Sequence, residues 1–345
     1  MKHFITGGSG FAGLHIIDRL LQETQDVTVY DITQLDNAYQ KKGVRFVEGD
    51  IRDQDRLREA MRGADFVHHN AAVLPVSRSG KVFRDINVQG TECVLQAAKA
   101  NGVRKVIAIS TSSVYGIPTQ LPITLSTPLT PLGDYGWSKY EAEQVVKKFR
   151  AEHNLDVSIV RPRTIIGTGR MGIFGILFDW VRRGKRIYII GRGENLYQLL
   201  SAPDFASACY LMTIRPCNNQ DFLLGAEVFG TVKEDLEALI RHASTTSKVQ
   251  PTNAFLVRNI LAFVDFLKIS PLVDWHYKTP HKPFYFDISE TRRVLGWQPK
   301  DSNALMFTQA YDWYLEHRRE LDTQTGTTHR KSVKQGILKI LRAIS

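Results

Sequence analysis

The sequence predicts a doubly wound α/β fold, a parallel sheet with helices on both faces, followed by a smaller and less regular C-terminal region. Two observations carry that expectation. Short β-rich runs alternate with helical patterns over the first 160 residues, and a glycine-rich turn joins the first run to the first helical pattern. Strands alternating with helices imply βαβ units and a parallel sheet.

The runs follow in order. His3-Phe4-Ile5 reads as a first strand, after which Leu14, Ile17, Leu20 and Leu21 recur at helical spacing. Val27 to Tyr30, Arg45 to Val47, Asp65 to His68, Lys105 to Ser110 and Val157 to Val160 read as further strands. Helical patterns fit Val88 to Ala100 and Ser138 to His153. Beyond about residue 165 the rhythm breaks into glycine punctuation, short strands and helices. The expected organisation is therefore a sheet-forming unit over 1–165 and a substrate-binding region over 166–322 that interleaves with it. A polar linker and basic tail then run over 323–345.

Composition narrows the function classes. Of 345 residues, 43% are apolar and 23% charged, which is ordinary for a globular protein. Cys93, Cys209 and Cys217 match no metal-ligand or redox spacing and point to a reducing, cytoplasmic setting. The chain opens directly on the first strand with no charged leader, so secretion is not expected. Five of the ten excess positive charges, Arg330, Lys331, Lys334, Lys339 and Arg342, sit in the last sixteen residues. The remaining body is too weakly basic to argue for nucleic acid.

Two apolar segments admit two readings each. Phe255 to Trp275 is interrupted by Arg258, Asn259, Asp265, Lys268 and Asp274, which makes it a poor membrane span. It reads as a buried helix pair, or as a hydrophobic cap over a lipid-bearing or steroid-like substrate. Val333, Ile337, Ile340, Leu341 and Ile344 recur at helical spacing among the basic residues of the tail. Such a helix rests peripherally on the anionic inner face of a membrane, or docks on the protein or on a second subunit.

The glycine turn is Thr6-Gly7-Gly8-Ser9-Gly10-Phe11-Ala12-Gly13. Gly8, Gly10 and Gly13 satisfy G-x-G-x-x-G, and Gly7 adds an overlapping spacing. Glycine permits a tight turn, backbone approach to a pyrophosphate and close packing of helix on strand, while the helix start faces the phosphates. Alone, the motif is only a tight βα turn. Asp31 closes the second strand at the distance where a carboxylate accepts from the adenosine ribose and repels a 2′-phosphate, so NAD is expected over NADP.

Tyr135-Gly136-Trp137-Ser138-Lys139 places tyrosine and lysine four apart, on one helical face. A phenol with a pKa near about 10 is a poor base at neutral pH. A neighbouring ammonium stabilises the phenolate and makes proton exchange with an alcohol feasible. The spacing by itself arises readily by chance. Upstream, Ser110-Thr111-Ser112-Ser113-Val114-Tyr115-Gly116 lies at the carboxyl end of a strand, where an open α/β sheet presents ligand-facing residues.

With Gly49-Asp50-Ile51-Arg52-Asp53, Asn70-Ala71-Ala72, Asn87-Val88-Gln89-Gly90-Thr91, Arg161-Pro162 and Leu295-Gly296-Trp297-Gln298-Pro299 in this order, residues 1 to 320 resemble the extended short-chain dehydrogenase/reductases, in particular their NAD-dependent epimerase/dehydratase branch. The resemblance implies a Rossmann-type sheet and an enzyme. Tyr135 would be the acid/base, Lys139 would bind the nicotinamide ribose and tune the tyrosine, and Thr111 would bond the substrate oxygen. Gly7, Gly10, Phe11, Ala12, Gly13 and Asp31 would hold the cofactor, with Tyr135 and Lys139 also contacting it. Asp50 and Ile51 would border the adenine, and Ala71 and Ala72 would line the cleft. Asn87 reads at least as well as a bracing residue, and Asp204 as structural.

Two departures narrow the chemistry. Dehydratases of this branch carry an Asp-Glu pair after the Ser/Thr, where this chain has Ser112 and Ser113, so dehydration is not expected. Thr164 stands where several nucleotide-sugar epimerases carry asparagine. Arg163, Arg170, Arg182, Arg183 and Arg192 offer guanidinium forks to a diphosphate, although a basic helix face accounts for Arg182 and Arg183. The expected function is a sugar epimerase acting on a sugar nucleotide, as a homodimer. The alternatives are a net alcohol dehydrogenase of the 3β-hydroxysteroid type, an epimerase of a lipid-linked sugar, and a non-catalytic dinucleotide sensor.

Overall fold

The computed structural model describes residues 1–74, 80–169, 172–255, 257, 279 and 281–321. Of the apolar stretch from Phe255 to Trp275 only 255 and 257 are among them; the tail and Arg170 lie outside the described residues.

The chain runs β1 (Lys2–Thr6), α1 (Phe11–Gln22), β2 (Asp26–Asp31), α2 (Asn37–Lys41), β3 (Arg45–Glu48), α3 (Gln54–Ala60), β4 (Phe66–His69), α4 (Lys81–Arg84), a π-helical turn over Asp85–Gln89, α5 (Gly90–Ala100) and β5 (Lys105–Ile109). A 3-10 turn over Ser112–Tyr115 leads to α6 (Gly133–His153) and β6 (Val157–Pro162). Then come β7 (Ile165–Ile166), α7 (Ile173–Arg182), β8 (Ile187–Ile190), β9 (Leu200–Ser201), α8 (Ala202–Ile214), β10 (Asp221–Leu224), α9 (Val232–Ala243) and β11 (Val249–Thr252). α10 (Ser289–Leu295) and α11 (Asn303–Leu321) close the described chain.

Seven strands form one parallel sheet in the order β10-β6-β5-β4-β1-β2-β3. Phe4 lies opposite Thr28 on one side and Val67 on the other. Because side chains alternate across a strand, Phe4 and Ile5 enter different cores. Ile5 joins Ile17, Val29, Ile107, Phe205 and Met212 beneath α1 and α8. Phe4 joins Leu57, Val67, Leu95, Val106 and Phe149 beneath α3, α5 and α6. A third cluster, with Phe178, Val181, Leu236, Leu239 and Tyr311, holds α7, α9 and α11 together.

The expected strands are all present, with β4 displaced by one residue. The helix read from Ser138 starts five residues earlier, at Gly133. Its first turn carries Gly133 and Gly136, which hid the helical pattern; Gly133 adopts a φ of 67°. The helix read from Val88 begins as a π turn around Asn87.

Three buried histidines lie along the adjacent strands β1 and β4. His3 Nδ1 is 3.1 Å from His68 Nε2, and His69 bridges Thr6 Oγ1 at 2.8 Å and Thr91 Oγ1 at 2.9 Å. Burial pushes His3 down to about 4 and His68 well below its usual range. Burial and then the Lys139 charge push His69 down to about 3. Above pH 6.5, the ordinary histidine value, all three are neutral in folded and unfolded chains alike. Below it the unfolded chain takes up protons that the folded chain refuses, so stability falls by about 1.4 kcal/mol per pH unit for each histidine. Urea midpoints measured from pH 7.5 to pH 5 should drop steadily below pH 6.5, and a flat profile would contradict this account.

Candidate active site

The strand order reverses between β1 and β4, where an open α/β sheet has its ligand crevice. The glycine loop leaves β1 there. A Cβ on Gly7, at φ +69°, would stand 2.7 Å from the Ala71 backbone, and one on Gly13 would stand 2.5 Å from Gly7 O. The loop is therefore pressed between the chain leaving β4 and the first turn of α1, with Asn70 Nδ2 donating to Gly7 O at 3.0 Å. No side chain caps α1, whose N-cap is Gly10. The positive helix end at Phe11, Ala12 and Gly13 thus suits a diphosphate.

Asp31 ends β2 and is pinned to this loop. Its Oδ2 accepts from Ser9 N at 3.0 Å and its Oδ1 from Thr33 N at 2.9 Å. Burial raises its pKa against backbone bonds from Thr33, Ser9 and Ile32. A carboxylate offers about four acceptor sites, which leaves room for a ribose hydroxyl. Asp50 is engaged by Arg52, whose Nη2 reaches Oδ2 at 2.6 Å and holds the carboxyl below its ordinary range. Ile51 is buried, 2.4 Å from where a Gly90 Cβ would be. Ala71 and Ala72 are half-buried beyond β4, Ala71 N donating to Thr6 Oγ1 at 3.3 Å. Glycine loop, ribose-side carboxylate and small cleft residues together fit NAD.

On the other side of the crevice, α6 carries Tyr135 in its first turn and Lys139 one turn later. Tyr135 is half-buried with its ring edge against Phe83, the centroids 6.0 Å apart. Lys139 is buried, and its Nζ donates to Ile109 O at the end of β5, at 2.6 Å. Burial brings its pKa down to about 8, opposed by the nearby Glu143 carboxylate. Thr111 follows two residues after Ile109 and caps the 3-10 turn, its Oγ1 accepting from Ser113 N at 3.2 Å and donating to Ser113 Oγ at 3.2 Å. A Cβ on Gly136 would lie 3.1 Å from Ser113 O, so the Tyr135 turn lies directly on the Thr111 loop.

Asn87 braces this arrangement from behind. Its Oδ1 accepts from Val73 N at 2.8 Å and its Nδ2 donates to Ser138 Oγ at 2.9 Å. Ser138 Oγ in turn donates to Tyr135 O at 2.8 Å. Sequence reasoning passed over Ser110, Ser138 and Glu143. The available signal for Glu143 was its position four residues past Lys139, on the same helical face.

The arginines separate. Arg163 is fully buried, with Nη1 donating to Ser112 Oγ at 3.2 Å and its guanidinium 4.0 Å above the Phe284 ring. Arg182, the last residue of α7, and Arg183 just after it both pair with Asp179 at 2.8 Å. Arg192 is exposed. Asp204 accepts from the amides of Lys300 and Asp301 at 3.0 and 3.2 Å, tying α8 to the segment after Trp297. Thr164 is half-buried, its carbonyl accepting from Leu200 N at 3.1 Å. Among the described residues no group of three potential ligands could hold a metal ion, and no helix is long and apolar enough to cross a membrane.

Known proteins are similar to this chain over most of its length. A protein of Sinorhizobium fredii known only as uncharacterized protein y4nG is 36% identical over 340 residues, covering 98% of this chain and 84% of its own. The UDP-glucose 4-epimerase of Streptomyces lividans is 26% identical over 349 residues, covering 93% and 98%. The dTDP-glucose 4,6-dehydratase of Streptomyces venezuelae, solved with NAD bound, superposes with a TM-score of 0.74 at 26% identity, covering 93% and 98%. The model of the NAD dependent epimerase/dehydratase family matches residues 3–225. The chain belongs to that family, and is an NAD-dependent enzyme of the extended short-chain dehydrogenase/reductase type.

Proposed function

We propose that this enzyme is an epimerase of a nucleotide-linked sugar, acting by transient oxidation of a ring hydroxyl. The observation that carries the reading is a tyrosine–lysine pair on a helix packed against the Thr111 loop, beside serines where elimination needs carboxylates. Tyr135, its phenolate stabilised by the Lys139 ammonium, takes the proton of the hydroxyl and later returns it. The Thr111 hydroxyl holds the substrate oxygen during both transfers. NAD, when bound, would supply the hydride acceptor for the oxidation and the hydride donor for the reduction that follows. Ser112 and Ser113 are neutral, so neither an acid for a leaving hydroxyl nor a base for an α-proton stands beside Thr111.

The test is incubation with NAD and a panel of UDP-, GDP- and dTDP-sugars, with products separated and NADH absorbance followed. A new sugar isomer without accumulating NADH is expected. Stoichiometric NADH with a keto product would replace epimerisation by net dehydrogenation.

Tyr135→Phe should lower turnover by about 10²- to 10⁴-fold in a folded chain that still binds NAD; unaltered turnover would remove Tyr135 from the acid/base role. Gly13→Ala drives a methyl against Gly7 O. NAD binding, followed by fluorescence titration, should be lost in that variant.

A further inference from the structure

Ser110, Glu143 and Arg161 form a buried network that no step above uses. Glu143 lies on α6 one turn beyond Lys139 and is 2% exposed. Ser110 Oγ donates to its Oε1 at 2.5 Å. Arg161 on β6 grips both carboxylate oxygens, Nε to Oε1 at 2.9 Å and Nη2 to Oε2 at 2.7 Å. The guanidinium is itself held by Tyr115 Oη at 3.1 Å and Asp221 Oδ2 at 3.4 Å, and Arg150 pairs with Asp221 at 2.7 Å.

Three consecutive residues leaving β5 thus meet three different demands. The Ile109 carbonyl takes the Lys139 ammonium, the Ser110 hydroxyl binds Glu143, and Thr111 is the residue proposed to hold the substrate oxygen. Two of those anchors come from one face of α6, so the register of helix against strand end is set at two points rather than one.

We infer that Glu143 is a positioning residue: it locks the exit of β5 to α6 through Ser110 and Arg161, and it sets a carboxylate beside the buried Lys139 ammonium. This rests on the reading of Thr111, Tyr135 and Lys139 as the catalytic set. Among the described residues, Glu143 from its own helix, the Ile109 carbonyl from β5 and His69 from β4 face Lys139. Tyr135 stands one turn earlier on the helix, and Arg161 from β6 stands behind Glu143. His69 stays neutral, pushed down to about 3, so the Glu143 carboxylate opposes the burial that favours a neutral lysine. Removing that charge shifts the lysine toward its neutral form.

The experiment uses the full chain with NAD, its lysines labelled with ¹³C at Cε and the Lys139 signal assigned by its loss in Lys139→Met. Glu143→Gln should lower the Lys139 titration midpoint by about one pH unit or more, while Glu143→Asp should restore it. Glu143→Gln leaves Arg161 buried without its partner, which can unfold the chain. The double variant Glu143→Gln/Arg161→Met removes both charges and should still show a lowered midpoint in a folded, NAD-binding protein. A midpoint that stays put in both Gln variants overturns the inference, because a merely structural carboxylate would not move it. A lowered midpoint in an enzyme that turns over no sugar nucleotide leaves the Glu143 role standing and removes only the substrate reading.

Discussion

A buried ammonium bonded to one backbone carbonyl, Lys139 on Ile109, is the constraint around which this structure is arranged. A lysine taken out of water is costly to keep charged, and its chemical value here depends on that charge. The fold meets both demands with geometry. Helix α6 runs alongside the carboxyl end of β5, close enough for the ammonium to reach the carbonyl, and the same approach lays the Tyr135 turn on the Thr111 loop. Any change that lifts α6 from the sheet therefore disturbs Tyr135, Lys139 and the Thr111 loop together.

The neutral surroundings are as purposeful as the charged ones. His69 lies near the ammonium, yet burial keeps it unprotonated, hydrogen-bonded between Thr6 and Thr91. A second cation there would repel the first. At the opposite wall stand the positive helix start and the Asp31 carboxylate, which would face the phosphates and the ribose of a bound NAD. The crevice is thus polarised along its length.

Much of this was legible because it is local. The glycine spacing, Asp31 after the second strand and the four-residue interval from Tyr135 to Lys139 each encode a contact within one turn or one βα unit. The contacts that were not legible span long stretches of chain. Arg161 meets Glu143 across 18 residues, Asn87 meets Ser138 across 51, and Lys300 reaches Asp204 across 96. No periodicity announces such pairs, since each partner alone fits an ordinary strand or helix. The start of α6 was misread for a related reason. Its two glycines are poor helix formers, and the second is required by the close approach to Ser113, a tertiary fact that overrides propensity.

The position of β10 bears on how the molecule can be divided. This strand comes from the irregular half, yet it seals the edge of the nucleotide-binding sheet, with Phe222 opposite Val160 and Leu224 O accepting from Arg163 N. A fragment cut after residue 165 would keep every cofactor residue named above and leave the backbone of β6 bare along one side. Exposed strand edges recruit other chains. The nucleotide half is therefore not a detachable module: β6 is covered by its outer neighbour only after some sixty further residues have been made and folded back onto it.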